Sequence, residues 1–404
     1  MAMDVKYPSS IRLLPSTLAM KYLALLATSA LAASAAFVHP GMLHTAKDFD
    51  RIITNVNAGN EPWLTGWYKL TNNSHAQSTY TPGAVEILCR GSGSDCSENY
   101  SRAYNDAAAA YQLAIRWKVT GDAAYGTAAV NILNAWSSTL QDIWGSSDKF
   151  LASGLYGYQF ANAAEILRDF DGFTDDDMAA TTAMLVNIFY VFNHRFLVEH
   201  NGAKIDHYWA NWDLCNMATM LSVGILSDNQ TMFDEAIDYF YNGGGNGAID
   251  KLFWIVYDDG TAQVQEAGRD QGHTMLDIAL VGTFAQMAYN QGINLFAYDD
   301  YRILKGAEYA AKYNLGNDVQ YTTYTNSDVT QTVISESGRG NIRPAWELIY
   351  NHYVKIEGQE ATYSTQYADL VRENGGGAEG GGGNYGSTSG GFDQLGFGTL
   401  LYTL

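Results

Sequence analysis

From Tyr104 onward the sequence repeats one pattern: apolar residues at three- and four-residue spacing for roughly ten to twenty positions, then a short polar or glycine break. That alternation confines the chain to helices packed on helices, because no comparable block of strand-like residues interrupts it before the last third. The spacing predicts helices over 103–119, 125–140, 156–170, 175–198, 208–226, 232–241, 272–289, 301–313 and 345–356. Thr174 precedes Asp175-Asp176-Asp177, which complements a helix N-terminus, and Gly121 and Gly292 stand where helices should stop. About ten helices joined by short links pack as antiparallel hairpins, and a long series of hairpins curls round on itself. The expected fold is therefore all-α, a toroid or solenoid of helical hairpins formed by a single domain over 37–404. No repeat of fixed length is visible, which argues against a regular helical-repeat array. The glycine-rich stretch 375–391 is expected as a surface loop, and Thr399-Leu400-Leu401-Tyr402 after it as a segment that packs back on the domain.

The balance of 23 Lys and Arg against 43 Asp and Glu, a net charge of −20, excludes nucleic acid and an anionic membrane surface as partners, since both require a basic footprint. A polyanion remains admissible if one cleft gathers the few basic groups. Three cysteines cannot form a disulfide scaffold, but Cys89 and Cys96 bracket a short Gly/Ser loop and can close a small bridge, leaving Cys215 as a buried thiol. No His and Cys spacing suits a metal, so no metal and no cofactor is expected. Residues 1–36 carry Met20-Lys21, an apolar run and then small residues, the pattern of a secretory signal peptide, and the protein is expected outside the cell. The sequons at Asn72, Asn99 and Asn229 are candidate glycan sites on that reading.

Four stretches have more polar or aromatic residues than packing requires. Gln265-Glu266-Ala267-Gly268-Arg269-Asp270-Gln271-Gly272-His273 runs straight into an apolar helical pattern; at helical spacing Glu266, Arg269 and His273 share one face. The plainer reading is an exposed capping segment. His207-Tyr208-Trp209-Ala210-Asn211-Trp212-Asp213 opens another helix with aromatic faces and amides suited to sugar rings, or else forms an aromatic core. Tyr158-Gln159 with Asn162 and Glu165 makes a helical stripe that packing alone also explains. The polar, aromatic loop 321–328 leads to Arg343-Pro344, with Pro344 suited to a first helical turn, and on to Tyr350.

Taken in order, Trp117 to Asp122, Ile132 to Trp136, Tyr158-Gln159 with Ala163-Ala164-Glu165, Asn211 to Leu214, Glu266 to His273 and Arg343 to Tyr353 resemble the alginate-lyase-like polysaccharide lyases, most closely family 38. The resemblance spans the chain from His39 to the tail. It implies an (α/α) toroid and β-elimination on 4-linked uronate polymers, alginate or glucuronan, without a metal. It also implies roles: Asn211 neutralises the substrate carboxylate, Arg269 and His273 complete the pocket, and Glu266 orients one of them or shares a proton with the substrate carboxylate. The better-known members place a catalytic Tyr seven residues after the Arg, whereas Leu276 stands there in this chain. Tyr324 is the favoured replacement, with Tyr158 and Tyr350 as alternatives. Substrate contacts are expected from Tyr158, Gln159, His207, Trp212, Gln265, Arg343 and Tyr350. Two other classes compete: a glycoside hydrolase using a carboxylate pair such as Glu266 with Asp213, and a polysaccharide-binding protein without activity.

Overall fold

The helices begin well ahead of the expected start at 103. α1 (Ala46–Ala58) begins at a capping box on Thr45 and ends at Gly59 in the left-handed region, and α2 (Trp63–Thr71) follows it. The structure, a computed structural model, describes residues 36–92 and 96–404; the leader read into the segment before residue 36 lies outside the described residues. Then come α3 (Ser101–Thr120), α4 (Ala123–Thr139), α5 (Lys149–Ile166), α6 (Asp175–Met184), α7 (Val191–Glu199), α8 (Ala210–Leu226) and α9 (Gln230–Asn242). α6 continues into α7 through a π-helical turn over Leu185–Tyr190, so the expected long helix exists with an internal bulge. The second half adds the short α10 (Ile249–Leu252), then α11 (Gln271–Asn290), α12 (Tyr298–Asn314), α13 (Trp346–Tyr350), α14 (Thr362–Asn374) and the four-residue α15 (Gly398–Leu401). Three two-stranded pairs decorate this frame: parallel β1 (Ile87–Cys89) and β2 (Asp142–Trp144), and the hairpins β3 (Phe253–Val256) with β4 (Ala262–Val264) and β5 (Tyr324–Thr325) with β6 (Thr330–Gln331).

Helices α3, α5, α8, α11 and α13 contact one another in that order and form an inner ring. α5, α8 and α11 are buried on nearly every face, whereas α9 on the outside buries only a stripe of Phe233, Ala236 and Phe240. A Cβ on Gly154 would sit 2.4 Å from Cys215 Sγ, and one on Gly157 would sit 2.4 Å from Thr219 Cγ2. Glycine at these two positions lets α5 and α8 touch backbone to side chain, and the matched advance of the contacts shows that the two helices rise together. With outer helices returning the chain, the N-termini of the inner helices gather at one end of an all-α (α/α) toroid.

The glycine-rich tail corrects the surface-loop expectation in part. Residues 378–382 and 391–395 are buried and fill the middle of the ring, while 383–390 between them stay exposed or half-buried. Gln112 donates to Gly382 O at 3.0 Å, Gln159 to Phe392 O at 2.8 Å, and Tyr158 to Asp393 O. The buried Glu379 carboxyl accepts the backbone N–H groups of Trp346, Glu347 and Gly398, which ties the tail to the starts of α13 and α15. Glycine is required because the strands of the tail approach so closely: a Cβ on Gly381 would lie 2.3 Å from Leu395 O.

Cys89 and Cys96 are joined and Cys215 is a buried free thiol, as expected. Asn72 is exposed, and Asn229 caps α9 through its side-chain oxygen. The Asn99 side chain donates through Nδ2 to Ile87 O and accepts from Cys89 N at Oδ1. No helix of the described residues is long and apolar enough to cross a membrane.

Candidate active site

The polar stretch 265–273 is not one helix. Gln265–Gly268 form a 3₁₀ turn, Asp270 is extended, and α11 starts afresh at Gln271. Glu266, Arg269 and His273 therefore do not share a helical face as their spacing suggested; Asp270 breaks the helix because its side chain caps α11. What brings the three together is hydrogen bonding within two pairs, Glu266 with Arg269 and Asp270 with His273, and an ion contact of 3.8 Å between Arg269 and Asp270.

The first N–H groups of α8 have no partner within the helix, and the 3₁₀ turn supplies one for each. Ala210 N donates to Gln265 Oε1 at 3.1 Å and Asn211 N to Glu266 Oε1 at 2.9 Å. The same oxygen accepts Asn211 Nδ2 at 2.5 Å, while Glu266 Oε2 accepts Arg269 Nη1 at 2.7 Å. Glu266 is fully buried, and Asn211 shows only 2 % of its surface. Arg269 lies over the Trp209 ring at 5.0 Å and keeps its side chain 25 % exposed.

His273 joins this cluster through Asp270. Asp270 Oδ1 accepts His273 N at 2.9 Å and Oδ2 meets His273 Nδ1 at 2.6 Å. Partial burial alone would raise the Asp270 pKa, but the two bonds from His273 and the nearby Arg269 charge outweigh it and hold the carboxyl at about 2. With Nδ1 engaged, His273 Nε2 is left without a partner among the described residues, on a ring 36 % exposed. Asp270 is a site residue that the sequence reading passed over, although an Asp three before a His at a helix start is the expected cap.

Beside this cluster opens a cleft of about 330 Å³ walled by Ser147, His207, Trp209, Trp212, Arg269 and Asp328. Its rim is the β5–β6 hairpin, held to the body by the His207 to Asp328 contact at 2.7 Å and by Ser327 N on Asp206. Tyr324 sits at the inner end of that hairpin, 8 % exposed. Its hydroxyl accepts from Gln265 Nε2 at 2.7 Å and donates to Asn246 Oδ1 at 3.3 Å, which puts it one side chain away from Ala210. Burial raises its pKa and the Gln265 bond opposes that.

The remaining expected contacts fall elsewhere. Tyr158 and Gln159 are buried in the ring and spent on the tail. Arg343 pairs with Asp393 at 3.0 Å and donates to Gly272 O, so it staples the tail to the start of α11. Tyr350 lies under Lys355 and Arg372, away from the cleft walls. Gln265 is buried and acts as a bridge between α8 and Tyr324. Asp213 is buried as well, meeting His200 Nε2 at 3.3 Å and accepting Gly247 N at 2.8 Å, so it cannot partner Glu266 across a glycosidic bond. Among the described residues no group of three His, Cys, Asp or Glu is placed to hold a metal.

Comparison with known proteins agrees with this architecture. No curated protein matches the chain. An alginate lyase from Bacteroides ovatus superposes with a TM-score of 0.62 at 12 % identity, covering 91 % of this chain and all of that one. Alginate lyase A1-III from Sphingomonas species A1 superposes with a TM-score of 0.50 at 16 % identity, over 69 % and 79 % of the two chains. Residues 71–320, well over half of the sequence, match the family model described as alginate lyase. The chain belongs to the alginate lyase family and is a polysaccharide lyase.

Proposed function

We propose that this lyase cleaves 4-linked polyuronates, polymannuronate or glucuronan, by syn β-elimination without a metal, and that it acts outside the cell. The observation that supports this most is the joined cluster Asn211, Glu266, Arg269, Asp270 and His273 on the edge of an aromatic cleft. Elimination withdraws the C5 proton of a uronate, so charge builds on the adjacent carboxylate and must be met by fixed donors. Arg269 and the Asn211 amide offer such donors, and Trp209 with Trp212 offers faces for the sugar rings. Tyr324, when ionised, takes the C5 proton; the C4–C5 double bond forms, the bond from C4 to O4 breaks, and the same hydroxyl returns the proton to O4.

Stereochemistry sets the substrate. In β-mannuronate and β-glucuronate the C5 proton and O4 lie on one side of the ring, within reach of one group, whereas in α-guluronate they lie on opposite sides. Initial rates on polymannuronate, glucuronan and polyguluronate, followed by ultraviolet absorbance of the unsaturated end, test the proposal. Activity should survive chelation, and faster cleavage of polyguluronate would overturn the single-tyrosine route.

A further inference from the structure

Seven residues into α11, inside an otherwise apolar run, stands Asp277, with no exposed surface at all. No donor from any other residue satisfies either of its carboxyl oxygens among the described residues. An ionised aspartate in that position would be a buried charge without a hydrogen bond, which proteins avoid. The group it meets is the Glu266 carboxyl.

Glu266 has about four acceptor positions. Three are occupied: Asn211 N and Nδ2 on Oε1, and Arg269 Nη1 on Oε2. We propose that Asp277 is a positioning residue that stays protonated and gives its O–H to the remaining position on Glu266, so that the pair carries one negative charge, matched by Arg269. Glu266 is then fully engaged, and it holds the Asn211 amide and the Arg269 guanidinium in one arrangement at the cleft. Nδ2 of Asn211 keeps its second hydrogen for a substrate carboxylate, having no other acceptor among the described residues. The charged groups facing Asp277 are Glu266 and Arg269 from the 3₁₀ turn and Asp270 from the start of its own helix. α8, α12 and α13, which also pack on α11, bring no further charged group among these. Burial first, then the Glu266 charge, favours the protonated form, with Arg269 opposing.

The functional half of this inference rests on the lyase reading above, and the test separates the two. A carboxyl that keeps its proton on folding binds more protons folded than unfolded, so its contribution to stability falls as pH rises above the ordinary carboxylate range. Asp277→Asn keeps the shape and a donor but has no proton to retain. Its melting temperature should therefore gain on that of the unaltered protein steadily from pH 4 to pH 9. A gap that stays constant, or that turns against the variant as pH rises, overturns the assignment whatever the enzyme cleaves. On substrate, Asp277→Leu should lower kcat about 100-fold with little change in KM, because Asn211 and Arg269 lose their common anchor. Asp277→Asn should recover most of that loss. Equal activity in both variants and the unaltered enzyme would remove the positioning role.

Discussion

Asn211 and His273 meet their neighbours in different ways, and their substitutions should separate charge stabilisation from packing. Asn211→Ala leaves α8 its backbone bond to Glu266 but removes the amide, and His273→Ala leaves Asp270 its backbone cap. Each is expected to lower kcat about 10²–10³-fold while the far-ultraviolet dichroism and the melting temperature stay close to those of the unaltered enzyme. Near-normal turnover in either folded variant would take that residue out of the mechanism. Tyr324→Phe should abolish elimination yet keep polymer binding, and in the unaltered enzyme kcat/KM should climb with pH on the alkaline side, since burial raises the pKa of the proton carrier. Full activity of Tyr324→Phe would pass the role to His273 Nε2. The cluster from Gln265 to His273 was legible because polar residues ahead of an apolar run have to be used on something. Asp277 was not, since a lone acid in an apolar helix shows its partner only in three dimensions, and Tyr158 misled because a buried tyrosine bonding a backbone carbonyl has the same sequence appearance as one facing a ligand.

At the scale of elements, the helical period placed α3, α4, α8, α9 and α11 within two residues of their observed ends, because each has a legible cap or an amphipathic stripe. The start of α5 was missed by seven residues, its early turns burying Phe150, Ala152, Ser153 and Gly154 without an exposed polar face to mark the period. α12 was read from Tyr301, and a left-handed turn at Asp299, Asp300 and Tyr301 does separate its first residues from the regular helix. The π turns at Leu185–Tyr190 and Asn351–Ile356 leave no mark in a pattern of three and four. The contact between α5 and α8 gives the sharpest element-level test. Gly157→Ala forces a methyl against Thr219 and Phe189, so it should cost about 1–3 kcal/mol in denaturant unfolding, with activity per folded molecule little changed. An unchanged midpoint would mean that the two helices can slide apart, against the close approach described above.

For the whole molecule, the all-α class followed from helix after helix joined by short links and the toroid from the family resemblance, but its filling followed from neither. Glycine-rich sequence reads as loop because glycine favours no structure; only the ring around it shows that absent side chains are what let the tail fit. The segment ahead of α1 is fastened to the end of α5, where His39 Nδ1 meets the buried Glu165 at 2.7 Å, and to Asp228, which meets Nε2 at 3.1 Å. The Glu165 bond raises the His39 pKa above 6.5, against burial. A histidine whose folded pKa is raised stabilises fully below its unfolded value and loses that contribution as pH rises through the folded one. His39→Ala should therefore destabilise by about 1–2 kcal/mol at pH 5.5 and by less at pH 8.5, a difference that paired melting curves would read. An equal loss at both values would mean that the ring is not charged in the fold.

The tail in the ring also bears on how the molecule is made. Every inner helix leaves the ribosome before Gly375 to Leu401, so the growing chain must carry an open ring, with Tyr158, Gln159 and Gln112 still lacking the backbone they bind. Helical hairpins can form early, yet the packed ring waits for residues 375–401, and a nascent chain stalled short of them is expected to expose the surfaces that this segment covers.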